Sequence, residues 1–240
     1  MILRFALSLI GIMALGATCA LAEARLPRMI TAAEAPLWNA VGRLNIAGDR
    51  YCSAALISPT EAVTATHCLF NPRTRNRIQV SDLRLVLGLR PEGNVAVIKV
   101  AGTAILPGYV YTGPVPSLAT IAQDVALLRL DRPVTPDEAT PLRVTRWPED
   151  RPEVDIVGFG RDRPYLASIR VNCPILADMV ATALLNCKVV PGLSGAPVVL
   201  TQTRTVVAVM SALVGTRLAN TQSMIVPIEP HLAALRALLK

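Results

Sequence analysis

Between Ala40 and Gly215 the apolar residues come in short runs, each cut off by Gly, Pro, Asn or Asp, which leaves little room for long helices. RLVLG (84–88), VAVIKVAG (95–102), VALLRL (125–130), VDIVGFG (154–160), VVAVMSALVG (206–215) and SMIVPI (223–228) are such runs. Their valines and isoleucines suit a pleated surface. The final segment, PHLAALRALLK, changes period: Leu232, Leu235, Leu238 and Leu239 fall at helical spacing after Pro230. The pattern predicts a β body closed by one C-terminal amphipathic helix. The proline- and charge-rich stretch RVTRWPEDRPEV (143–154) is the expected connection between two halves.

Arg4, followed by an apolar run that ends in Ala20-Leu21-Ala22, reads as a signal peptide over residues 1–22, cut after Ala22. An exported chain is therefore expected, secreted or periplasmic, with no membrane anchor once the signal is gone. The processed chain keeps Cys52, Cys68, Cys173 and Cys187, an even number that reads as two disulfides. The expected pairs are Cys52–Cys68 and Cys173–Cys187, each closing a loop of about 15 residues and contributing roughly 3 kcal/mol in the chain-entropy model. The formal charge of +7 falls by one when Arg4 is lost, and its excess is almost all arginine. The arginines are scattered and aromatic residues make up only 4%, so no nucleic-acid interface is expected. The RTRNR run, Arg73 to Arg77, reads as a solvated loop.

Two histidines limit the available bases. His67 follows a strand-like run in AVTATHCLF and is joined directly to Cys68, so a disulfide to Cys52 would hold its ring in place. A general base needs that, because it must sit about 3 Å from its proton donor. Asp124, in AQDVALLRLDRP, opens a buried apolar strand. A carboxylate there is costly unless something pairs with it, and it suits the orienting partner of an imidazole; an Asp in a plain turn is the other reading. Ser194 sits between glycines in CKVVPGLSGAP, in a tight backbone that serves a nucleophile or an ordinary turn equally. The same GLSGA could open a hydrolase of Ser-acid-His order, but only Glu229 lies between Ser194 and His231, two positions from it, and no strand–helix alternation precedes it. No HExxH and no CxxC is present, so neither a metal nor another cofactor is expected.

TATHC, LPGYVYTG with QDVALLRLDRPV, VGFG and PGLSGAPVV resemble, in order and approximate spacing, the signature blocks of the trypsin-like (chymotrypsin-fold) serine proteases over residues 38 to 240. The resemblance implies an all-β fold of two six-stranded antiparallel Greek-key barrels with a C-terminal α-helix. It divides the chain into the signal (1–22), a half carrying His67 and Asp124 (23–146), and a half carrying Ser194 and the terminal helix (147–240). It implies a serine endopeptidase: Ser194 as nucleophile, His67 as base, Asp124 holding His67, and the N–H groups of Gly192 and Ser194 as oxyanion donors. Lys188, six residues before Ser194, falls where the family places the base of its specificity pocket, or is an exposed loop residue; SALVG (211–215), with Ser211 and Leu213, falls where an edge strand pairs with substrate. The implied partner is a peptide or protein substrate, the chain acting as a monomer. Leu193 stands where most of the family carries an aspartate that binds a newly cut amino terminus, and no IVGG-like start is present. Both departures point to an oxyanion loop ordered without such a terminus, or to a relative that kept the fold as a binding or scaffolding protein.

Overall fold

The computed structural model describes residues 27–48, 50–214 and 222–239. The expected signal peptide (1–22) and Gly215 lie outside them. Six strands, β2 (Val41–Ile46), β3 (Arg50–Ser58), β4 (Glu61–Thr64), β5 (Leu83–Leu87), β6 (Ala96–Ile105) and β7 (Ala126–Leu130), close into an antiparallel barrel in the order β2-β3-β4-β7-β6-β5. Alternate residues point inward, as in β6, where Ala96, Ile98 and Val100 are buried and their neighbours are exposed. Leu44, Leu56, Leu85 and Leu128 fill the interior. Each contributes on the order of 1.5–3 kcal/mol by leaving water.

The second sheet has eight strands: β1 (Arg28–Met29), β8 (Val154–Gly158), β9 (Ser168–Cys173), β10 (Ile175–Met179), β11 (Thr182–Leu185), β12 (Pro197–Leu200), β13 (Val206–Val214) and β14 (Gln222–Pro227). Their order is β1-β9-β8-β12-β13-β14-β11-β10. The ladder exceeds the six strands expected because β1 crosses from the other half to pair with β9, and β10 folds back on β11. No strand ladder joins β9 to β11. Three other bonds close that seam: the Cys173–Cys187 disulfide, the Asn186 N–H donating to the Pro174 carbonyl, and Arg170 Nε donating to the Lys188 carbonyl at 2.8 Å.

A third apolar cluster lies between the two sheets, built from Val41, Ala55, Val63 and Leu127 on one side and Val157, Phe159, Val209 and Val226 on the other. β8 is buried along its whole length because both of its faces are covered. The terminal helix α3 (Glu229–Leu238) seals this cluster with Leu232 and Leu235, while Leu238 is exposed. Arg236 on α3 pairs with Glu61 at the start of β4 at 2.7 Å, so the end of the second half is tied to the first barrel. The 143–154 connection is mostly irregular and is pinned to β10 through Asp178, which accepts from Trp147 Nε1 and Arg151 Nε.

Replacing Cys173 and Cys187 together by serine is expected to lower stability by about 3 kcal/mol in urea unfolding. Hydrogen exchange is expected to rise at Asn186 ahead of the first barrel's strands.

Candidate active site

His67 occupies a single 3₁₀ turn, Thr66–Leu69, that follows β4 directly. The Cys52–Cys68 bridge, with 6.2 Å between Cα atoms, fastens that turn to β3. Asp124 reaches the same place from another direction. A short helix α2 (Leu118–Ile121), capped by the Ser117 side chain accepting from the Thr120 N–H, ends just before it, and β7 begins just after. Since Thr64 of β4 pairs with Ala126 of β7, residues a few positions beyond each strand end must meet.

They meet through the carboxylate. Asp124, only 3% exposed, accepts the His67 backbone N–H on Oδ1 at 2.8 Å and His67 Nδ1–H on Oδ2 at 2.7 Å. Ser211 Oγ, from β13 of the second sheet, donates to the same Oδ2 at 2.5 Å. Donation from Nδ1 fixes the tautomer and leaves Nε2 as the basic nitrogen. Burial works against a charged His67, and the Asp124 carboxylate outweighs it through its charge and its hydrogen bond, so His67 is held above its ordinary 6.5 with Arg50 opposing. Beside it, burial and the same carboxylate push the Tyr109 phenol well up.

Ser194 lies on a loop docked onto β3. The Ser53 N–H donates to the Ser194 carbonyl at 2.8 Å, Ser53 Oγ donates to the Gly192 carbonyl at 3.0 Å, and the Gly195 N–H donates to the Met210 carbonyl at 2.7 Å. Gly192 and Gly195 both have positive φ, +98° and +76°. A Cβ on Gly192 would come 2.6 Å from the Phe159 carbonyl oxygen, and one on Gly195 would overlap Thr64 Oγ1 and the Ser53 carbonyl. Only glycine permits so close an approach in that backbone. The N–H groups of Gly192 and Ser194 donate to no described residue. Leu193 packs into the apolar core of the second sheet with Val189, Ala196 and Val198, an apolar anchor at the position where most of the resembled family carries aspartate.

One cleft of about 350 Å³ is lined by His67, Asp124, Ser194, Ser211 and Leu213 together, with Arg50, Tyr109 and Tyr111 on the first barrel's side. Among the described residues no hydrogen bond joins Ser194 Oγ to His67 Nε2. In sites of this kind such a contact commonly tightens only when substrate arrives. Met210 still bonds to the Ser194 loop, its N–H donating to the Ala196 carbonyl at 2.9 Å; beyond it β13 pairs with β14 on one flank and has no partner among the described residues on the other, leaving an open edge by the cleft.

Of the two readings of Lys188, the structure has the exposed one: it does not line this cleft, and the Cys187 disulfide and the Arg170 bond to its carbonyl fix the backbone while the side chain is exposed. Ser211 lines the cleft, and its hydroxyl is engaged by Asp124. His231, on α3, does not line the cleft, and burial pushes its pKa down. Cys52, Cys68 and His67 cluster closely enough for a metal, yet both sulfurs are consumed in the disulfide. Sequence reasoning missed Ser53, Arg50, Tyr109 and Tyr111. A lone hydroxyl in the apolar run of β3 was the available signal for Ser53, since a fully buried hydroxyl must find partners.

A family model described as Trypsin matches residues 30–234. Among solved structures, one titled "Structure of Glu endopeptidase in complex with MPD" superposes with a TM-score of 0.72 at 14% sequence identity, over 88% of this chain and 95% of that one. At that identity the likeness is one of fold. No curated protein matches.

An NMR titration of the His67 ring is expected to give a pKa above 6.5 in the wild-type protein. In Asp124→Asn the imidazolium loses its counter-charge, leaving burial and Arg50 unopposed, so the value is expected to fall below the ordinary one.

Proposed function

Because the chain belongs to the trypsin-like serine protease family, we propose that it is a serine endopeptidase acting through His67, Asp124 and Ser194. The observation that carries this reading is the cleft itself: an imidazole oriented by a buried carboxylate shares it with a serine whose loop presents two unengaged N–H groups.

In the proposed reaction the substrate backbone pairs with the open edge of β13 near Ser211 and Leu213. Ser194 Oγ attacks the scissile carbonyl carbon, and its proton passes to His67 Nε2. The carbonyl oxygen gains the negative charge and takes hydrogen bonds from the Gly192 and Ser194 N–H groups; one such donor is commonly worth about a hundredfold or more in rate. As the tetrahedral adduct collapses, the C–N bond breaks, His67 Nε2–H protonates the departing amine, and the acyl group stays on Ser194. Water then attacks the acyl carbon, giving a proton to His67; the bond from that carbon to Ser194 Oγ breaks, His67 returns the proton to Oγ, and the acyl half leaves as a carboxylic acid. Asp124 remains ionised throughout. It holds the Nδ1–H tautomer and offsets the imidazolium charge. Leu193 contributes by anchoring the oxyanion loop through burial, so no newly cut amino terminus is needed to order it. The two disulfides suit an oxidising compartment outside the cytoplasm.

A fluorophosphonate probe is expected to label the wild-type protein at Ser194 and to leave Ser194→Ala unlabelled. Folded wild-type protein that takes no label favours a non-catalytic binding role instead. Because neutral His67 is the base and its pKa is raised, kcat/KM is expected to climb with pH through an inflection above 6.5. Asp124→Asn is expected to lower kcat by about 10⁴-fold, the scale typical of a Ser-His-Asp triad that loses its carboxylate.

A further inference from the structure

Arg50 opens β3 and lines the same cleft as His67 and Ser194. Its Nη1 donates to the Phe70 carbonyl at 3.0 Å, three residues beyond His67, while Nε and Nη2 donate to no described residue. No described carboxylate pairs with it. The one acidic side chain among the residues lining the cleft is Asp124, which already holds three donors. Arg50 is half-buried, and burial depresses its pKa, so its charge is partly desolvated without a counter-ion among the described residues. Its charge also opposes protonation of His67, as expected of a neighbour of the proton relay. A guanidinium with two free N–H directions in a partly dry cleft matches the planar fork of a carboxylate.

The side of the cleft follows from the two walls. The open edge of β13 belongs to the second barrel and suits the acyl half of a substrate, whereas Arg50 stands on the first barrel's wall with His67, the group that protonates the departing amine. We propose that Arg50 is a specificity-determining residue that receives the carboxylate of an aspartate or glutamate within the first two residues after the scissile bond. This inference rests on the endopeptidase reading. It replaces the exposed Lys188 as the cationic selector and moves selection from the acyl side to the leaving side.

The test is digestion of a proteome-derived peptide library, with cut sites read by mass spectrometry, for wild type, Arg50→Gln, Arg50→Lys and Arg50→Glu, each checked for folding by circular dichroism. In the wild type, acidic residues at one of the two positions after the cut are expected to be enriched roughly tenfold over library frequency, the scale of one charge-assisted contact. The enrichment is expected to vanish in Arg50→Gln, persist in weaker form in Arg50→Lys, and give way to lysine and arginine in Arg50→Glu. That reversal distinguishes a contact with substrate from a structural role. A wild type without acidic enrichment, or an Arg50→Gln profile identical to the wild type, overturns the inference alone. No cutting by any of the four folded proteins overturns the endopeptidase reading and this inference with it.

Discussion

The Asp124 carboxylate is the point on which the cleft depends. It is nearly sealed from solvent, and it is affordable there only because three donors converge on it, two from His67 and one from Ser211. Those donors come from different sheets. The carboxylate therefore orients an imidazole on the first barrel and also registers the second barrel against it. Removing a donor would leave a buried charge short of partners, which commonly costs about 3–5 kcal/mol.

Ser53 does for the Ser194 loop what Asp124 does for His67. Its N–H, hydroxyl and carbonyl bond to the Ser194 carbonyl, the Gly192 carbonyl and Thr64 Oγ1 respectively, and its hydroxyl also accepts the Phe159 N–H at 2.9 Å. With Leu193 buried below and the Arg161 N–H donating to the Pro191 carbonyl at 2.7 Å, the loop is held from several directions by bonds internal to this chain. On the proposed reading, packing and backbone hydrogen bonds order this loop without a buried ion pair. Neutral contacts of this kind avoid the desolvation cost of two buried charges.

Much of this was legible from residue order because the signals were local. Apolar runs bounded by Gly and Pro marked β5, β6, β7, β8, β13 and β14, and the change of period marked α3. Cysteine spacing gave both disulfides. The HisCys pair and the aspartate opening β7 pointed to two residues that do meet in space. What stayed hidden depends on contacts distant in sequence. The β9–β11 seam uses a disulfide and side-chain bonds in place of a ladder, so no periodicity announces it. Lys188 was placed by counting back from Ser194, and counting along a loop does not fix where a side chain points. Ser211 was read as a substrate contact because an open edge strand looks the same in sequence whether its hydroxyl faces the substrate or Asp124.

The proposed mechanism requires that Ser194 Oγ become acylated during turnover with His67 as its base. Acid quenching during turnover of an activated ester, followed by peptide mass spectrometry, tests this directly. A mass gain of one acyl group is expected on the peptide carrying Ser194, absent when His67 is replaced by alanine. An acyl group on another residue, or none on protein that retains both disulfides, would contradict it.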